Sequence, residues 1–127
     1  SDNFPTRYLL SDTCMKLGKP DVYGAICEFA GQVTVFASDG PCLRCLCPEA
    51  KDPSGNPNSA AYGVLGVIPG MIGCMQAAEV LKLLLGKGEA LIGKMLFIDA
   101  KTWSTDLIEI PVHPQCSCHA HTKVHWT

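Results

Sequence analysis

The sequence has no concentration of charge. Its 127 residues include ten Lys and Arg and twelve Asp and Glu, for a net charge of −2, and no cluster of one sign exceeds two residues. Nucleic-acid binding and attachment to anionic membranes both depend on concentrated basic charge. The composition therefore predicts neither a nucleic-acid partner nor a membrane partner.

No secretory leader is expected, because the first residues contain no basic stretch followed by an apolar block. The eight cysteines are therefore expected to be reduced thiols in a cytoplasmic protein rather than disulfides. The longest uncharged stretch, residues 53–78, is interrupted by proline and asparagine. It falls short of the roughly 20 continuous apolar residues that a bilayer requires, so no membrane span is predicted.

Neither common phosphate-binding loop occurs. No predicted strand is followed by Gly-x-Gly-x-x-Gly and a helix, and Gly-x-x-x-x-Gly-Lys-Ser/Thr is absent.

The length suits one domain, and a 47% share of apolar residues is enough for a core.

Periodicity and turn signals predict a mixed α/β fold. A first helix is expected at 4–18, with Pro5 in its first turn and Asp2 or Asn3 as its cap. The other predicted elements are a hairpin of strands 21–29 and 32–37 that turns at Ala30-Gly31, an exposed loop at 48–58, a long helix at 64–85, and strands at 94–100 and 105–112. Small residues recur every three or four positions in the long helix, so one face could approach another backbone closely.

Cysteine spacing predicts a zinc site. Cys42-x-x-Cys45 can direct two thiolates at one ion, and Cys116-x-Cys118 forms a second pair near the end of the chain. His119 also has ligand spacing from Cys116. The alternatives are free or buried thiols, or a redox role for Cys42 and Cys45, although a thioredoxin-like pair would begin a helix after a strand. Three further cysteines have apolar neighbours and are expected in the core: Cys14, Cys27 and Cys74.

Several segments, taken together, resemble the ThiF/MoeB/HesA family, the bacterial relatives of ubiquitin-activating enzymes. The matching segments, in chain order, are SDNFPTRY at 1–8, GQVTVF at 31–36, PCLRCL at 41–46, GVLGV at 63–67 and GCMQAAEVLK at 73–82. The resemblance implies that residues 1–127 are the C-terminal half of a Rossmann-like adenylation domain, with a mixed sheet and a zinc knuckle pair. The N-terminal half, which holds the family's nucleotide-binding glycine-rich turn, arginine finger and lysine, is not in this sequence.

The resemblance also implies site residues. Asp2 takes the place of the family's Asp beside the ATP phosphates and Mg²⁺, a role that suits a hard oxygen ligand. Asn3 follows in the same cofactor-binding motif, and Arg7 matches the motif's arginine, so Asp2 and Arg7 are the predicted catalytic residues. An exposed helix charge is the alternative role for Arg7.

The family's zinc knuckles match Cys42 and Cys45, then Cys116 and Cys118. The second knuckle is one residue shorter than usual, and the predicted fourth ligand is Cys118, with His119 as its substitute. A crossover loop is expected at 47–62. Many family members carry a cysteine in this loop where Ser59 stands here.

The function implied by this resemblance is ATP- and Mg²⁺-dependent adenylation of the C-terminal glycine of a ubiquitin-like sulfur-carrier protein, as in thiamine or molybdopterin biosynthesis. The expected partners are that carrier, the N-terminal half of the same enzyme, and a second copy in a homodimer. This part alone is expected to be inactive. The main alternative is a non-catalytic, zinc-stabilised module that binds a ubiquitin-like protein, and a thiol redox protein is a weaker one.

Overall fold

The fold is α/β, as predicted. The computed structural model describes residues 3–48 and 63–119. Their elements, in chain order, are α1 (Phe4–Leu17), β1 (Asp21–Cys27), β2 (Ala30–Phe36), α2 (Leu43–Leu46), α3 (Val67–Leu85), β3 (Lys94–Asp99) and β4 (Ser104–Glu109).

Local signals set both ends of α1. The Asn3 side-chain oxygen accepts a hydrogen bond from the Thr6 backbone N–H at 2.9 Å, which satisfies one of the amides that a helix leaves unpaired at its start. Pro5 lies in the first turn, where a missing N–H costs nothing. Gly18 ends the helix with φ 62°, a left-handed conformation that glycine adopts without a steric penalty.

The turn between β1 and β2 differs from the prediction. It lies at Glu28-Phe29, because Cys27 pairs with Ala30, and Glu28 takes the positive φ of 52° that a two-residue hairpin turn needs. Gly31 is instead inside β2. A Cβ there would lie 2.4 Å from Cδ1 of Ile72, so α3 requires glycine at this position of the strand.

The strands form one sheet in the order β1-β2-β3-β4, and every neighbouring pair is antiparallel. The parallel part of the predicted mixed sheet is thus not among the described strands. Helix α3 packs on β1 and β2, where Ile68 and Ile72 join Val33 in a buried cluster. Gln76 of the same helix donates to the Val22 carbonyl at 3.0 Å.

The outer face of α3 is exposed in the described part of the chain. The face of small residues that was expected to approach another backbone is on this side. Outside its own helical turn, a Cβ at Gly70 or Gly73 would meet no atom of the described residues within 4 Å. The prediction of a core position is wrong for two cysteines. Cys74 lies on the same outer face of α3, and Cys27 is exposed at the end of β1. Apolar neighbours in sequence did not show which side of each element faces the core.

By length and composition alone, α3 could also span a membrane. It has 19 residues, and its most apolar 18-residue stretch has a mean hydropathy of 1.4 and is 17% buried. Core helices of soluble proteins pass the same test, and α3 packs on the sheet through Ile68 and Ile72. A single such helix is therefore weak evidence for a membrane location.

A buried carboxylate fixes the connection from α3 to β3. Glu79 accepts from the Leu91 backbone N–H at 2.9 Å and forms an ion pair with Lys82. The Leu91 carbonyl in turn accepts from the Val35 N–H of β2 at 3.1 Å. Through these contacts Glu79 ties the end of α3 to the sheet.

We expect Glu79→Ala to lower the free energy of unfolding by about 1–3 kcal/mol, because it leaves the Leu91 amide without its acceptor. Chemical denaturation measures this difference. Glu89→Ala is the matched control, since this glutamate is exposed and its replacement should change stability by less than about 0.5 kcal/mol. Equal effects of the two substitutions would contradict the assigned role of Glu79.

Candidate functional site

Helix α1 positions the short helix α2. Tyr8 and Leu43 share a buried apolar cluster, and the Ser11 hydroxyl accepts from the buried Leu43 N–H at 3.4 Å. The Tyr8 hydroxyl donates to the Cys47 carbonyl at 2.6 Å. These contacts fix a single helical turn whose N-cap is Cys42.

Three cysteines and one histidine meet beside α2. Cys42, Cys45, Cys116 and His119 each offer one ligand atom, and all four atoms lie within 4.8 Å of one another. The Cys42 Sγ lies 3.8 Å from the Sγ of Cys45 and 3.5 Å from that of Cys116, and the Cys45 Sγ lies 3.3 Å from Nε2 of His119. Zinc–sulfur bonds of about 2.3 Å in a tetrahedron place sulfurs about 3.8 Å apart. The cluster therefore fits a zinc ion.

The cluster has two halves, Cys42 with Cys45 and Cys116 with His119, and both have the same local geometry. The Cys45 N–H donates to the Cys42 carbonyl at 3.0 Å, and the His119 N–H donates to the Cys116 carbonyl at 3.1 Å. In each turn the first and fourth residues supply the ligand atoms. The second half is therefore Cys-x-x-His in space.

Cys118 lies next to this cluster, where its thiol affects the pKa values of Cys42 and Cys116, and it also contacts Asp12. Its Sγ donates to Oδ1 of Asp12 at 3.4 Å, and it is not among the four ligand atoms that meet. Of the two alternatives for the fourth ligand, His119 is the one that the structure brings into the cluster.

Burial and hydrogen bonding alter the thiol pKa values. Burial raises the pKa of Cys42 above its ordinary 9.0. At Cys116 burial acts in the same direction, but hydrogen bonds with the Cys118 N–H and with the thiols of Cys42, Cys45 and Cys118 outweigh it, so the pKa is lowered. Zinc binds thiolates, so binding releases protons, and the affinity of such a site falls as the pH falls.

An acidic residue of α1 anchors the first turn of the cluster. Asp12 accepts from Nε of Arg44 at 2.9 Å and from a terminal nitrogen at 2.8 Å, and the guanidinium carbon lies 4.6 Å from the Tyr8 ring centroid. The hydrogen bond from Arg44 holds the pKa of Asp12 below 3.8. This pair therefore stabilises the fold above about pH 4, and the contribution is lost as the pH falls through the lowered pKa. Neither residue was predicted from the sequence to belong to the site, although Arg44 stands between the two cysteines of the first pair.

The predicted nucleotide motif is described only from Asn3 onward, and Asp2 lies outside the described residues. Asn3 uses its side-chain oxygen to cap α1. Arg7 donates to the Tyr23 hydroxyl at 3.0 Å, and its guanidinium carbon lies 5.7 Å from the Phe4 ring centroid. Arg7 is thus held against α1 and β1. Most of the predicted crossover loop, residues 49–62 with Ser59, also lies outside the described residues.

The ThiF family profile matches residues 1–120, and the chain belongs to this family. The SAMP-activating enzyme E1 of Haloferax volcanii is 53% identical over 116 residues, which make up 91% of this chain and 43% of that protein. A sulfur carrier protein adenylyltransferase of Thermus thermophilus is 47% identical over 122 residues, covering 91% of this chain and 45% of that protein. The chain thus spans less than half the length of these curated relatives.

Solved structures give the same fold. A crystal structure of Escherichia coli MccB with ATP superimposes with a TM-score of 0.72 at 15% identity, over 92% of this chain and 37% of that one. A heterocyclase in complex with substrate and cofactor gives 0.71 at 14% identity, over 90% of this chain and 19% of that one. At such low identity these matches support the fold and nothing further.

Proposed function

We propose that this chain is part of an enzyme that uses ATP and Mg²⁺ to adenylate the C-terminal glycine of a ubiquitin-like sulfur-carrier protein. The observation that carries the proposal is identity of 47–53% over nine-tenths of the chain to a sulfur carrier protein adenylyltransferase and a SAMP-activating enzyme E1. The family match at residues 1–120 includes both the Asp-Asn motif and the cysteine cluster.

Zinc is proposed as a structural ion held by Cys42, Cys45, Cys116 and His119. With four protein ligands no position is left for a substrate, which is the arrangement of structural rather than catalytic zinc sites. The ion would connect the C-terminal segment to α2 and, through Asp12 and Arg44, to α1. The metal site and the helix that begins in the nucleotide motif therefore belong to one connected unit.

Adenylation requires the partner's carboxylate to attack the α-phosphate of ATP, so the enzyme must position both groups and offset negative charge. Asp2 is proposed to face Mg²⁺ at the start of α1, with Asn3 in the same cofactor-binding motif. Arg7 is the proposed second catalytic residue, and its contacts with Tyr23 and Phe4 keep its guanidinium in one place. Once bound, Mg²⁺ neutralises phosphate charge.

The rest of the active site is proposed to come from the N-terminal half of the same enzyme, because the relatives are more than twice as long as the matched region. A homodimer in the cytoplasm, without nucleic-acid or membrane partners, is proposed for the whole protein. The crossover loop at 47–62 would cover the incoming carrier tail. On its own, this chain is expected to be inactive.

Carrier-dependent exchange of pyrophosphate into ATP tests the proposal, since this exchange reports reversible adenylate formation. The whole enzyme should show exchange only when a carrier with a free C-terminal glycine is present. A non-catalytic zinc module would bind the carrier without any exchange, and that result would favour this alternative.

Ser59 leads to a separate prediction about the next step. The whole enzyme should form the acyl-adenylate without a covalent thioester at position 59, because a serine needs a neighbouring base to act as a nucleophile and the sequence has no histidine before His113. Intact-mass spectra of enzyme, carrier and ATP should therefore lack an adduct that thiols release. An adduct that disappears in Cys47→Ala would place the acceptor at Cys47, and an adduct that persists in this variant would contradict the prediction.

A further inference from the structure

Two adjacent residues compete for one position at the metal cluster. Cys118 and His119 both follow Cys116 closely, and thiolates are common ligands of structural zinc, so a Cys₄ set would also be chemically suitable. The structure nevertheless brings Nε2 of His119 to 3.3 Å from the Cys45 Sγ, while the Cys118 Sγ faces Asp12.

The turn that contains Cys118 explains part of this choice. The His119 N–H donates to the Cys116 carbonyl, so Cys116 is the first residue of the turn and His119 is the fourth. Cys118 is the third. In the matching turn of the first half, the third residue is Arg44, whose side chain also contacts Asp12 rather than the cluster.

Asp12 thus accepts hydrogen bonds from the third residue of both turns, Arg44 and Cys118. Its Oδ1 accepts from Nε of Arg44 at 2.9 Å and from the Cys118 Sγ at 3.4 Å, while Oδ2 accepts from the second Arg44 nitrogen at 2.8 Å. The two-point contact with Arg44 fixes the plane of the carboxylate. The Cys118 thiol already interacts with the thiols of Cys42 and Cys116. To become a metal ligand it would have to give up its hydrogen bond to Asp12.

We propose that Asp12, held by Arg44, is a positioning residue that keeps Cys118 out of the metal's coordination sphere and leaves the fourth position to His119. This inference rests on the zinc site proposed above. Its consequence is a Cys₃His centre with a free thiol beside it. Helix α1, which carries Asp12, therefore determines the ligand set as well as the position of α2.

The test counts the sulfur ligands of the zinc-loaded protein by X-ray absorption, supported by the thiolate charge-transfer absorption of the cobalt-substituted form. The wild type and Cys118→Ser should both show three sulfurs and one nitrogen. Asp12→Ala should shift toward four sulfurs, and Asp12→Ala combined with Cys118→Ser should return to three. Asp12→Asn, which keeps the side-chain shape, should shift in the same direction by a smaller amount and serves if the alanine variant does not fold.

The control is Asp106→Asn, an exposed residue of β4, which should leave the ligand set unchanged. Three sulfurs in Asp12→Ala and Asp12→Asn with zinc still bound would overturn the role of Asp12 alone, whereas four sulfurs in the wild type would also overturn His119 as the fourth ligand. A wild-type protein that binds no zinc would overturn the metal site as well.

Discussion

Replacing Cys42 with serine is expected to reduce zinc from about one ion per chain to less than a tenth of that value, and to lower the free energy of unfolding by several kcal/mol. Cys42 is fully buried, and its Sγ contacts the sulfurs of both Cys45 and Cys116. A serine hydroxyl stays protonated near neutral pH and does not replace a thiolate. Structural zinc contributes on the order of 10 kcal/mol to folding, so loss of a central ligand has a large effect. Metal analysis and thermal denaturation measure the two changes.

Cys74→Ser provides the matched control for this substitution. Cys74 is exposed on α3 and is not one of the clustered ligands, so its replacement should leave zinc content and stability unchanged. Full zinc occupancy in Cys42→Ser, or a disulfide between Cys42 and Cys45 in the freshly purified wild type, would contradict a structural zinc site.

Asp2→Asn is expected to reduce carrier-dependent pyrophosphate exchange by the whole enzyme by at least about a hundredfold. An amide is a weaker ligand than a carboxylate for Mg²⁺ and offsets none of its charge, and transition-state stabilisation of this kind has effects of about 10²–10³-fold. The stability of the protein should be unchanged, because the cap of α1 is Asn3. The exchange rate at saturating ATP and carrier is the quantity to measure.

Asp39→Asn controls for the loss of one negative charge, since Asp39 is exposed in the turn after β2. It should retain the wild-type rate of exchange. Exchange at the wild-type rate in Asp2→Asn would show that this residue does not act at the ATP site.

Elements with local signals could be predicted from the sequence. The cap at Asn3, Pro5 in the first turn and Gly18 at the end define α1 within a few consecutive residues, so prediction and structure agree there. The turn between β1 and β2 could not be placed in this way. Gly31 resembles a turn glycine, but its small size serves the close approach of Ile72, which is distant in sequence.

In the candidate site, too, only the features with a local sequence signal could be predicted. Cysteine spacing identified Cys42, Cys45 and Cys116 as residues that could meet. The choice between Cys118 and His119 as the fourth ligand depends on the turn that joins Cys116 to His119 and on Asp12, which lies far away in sequence on α1. Contact between Asp12 and Arg44 joins residues 32 positions apart, and no local pattern indicates such a pair.

The most direct measurement of the central claim is carrier-dependent exchange of pyrophosphate into ATP by the whole, zinc-loaded enzyme. We predict that this exchange requires Mg²⁺ and a ubiquitin-like carrier with an intact C-terminal glycine, and that removal of this glycine abolishes it. Binding of the carrier by zinc-loaded enzyme with no exchange at saturating ATP would contradict it.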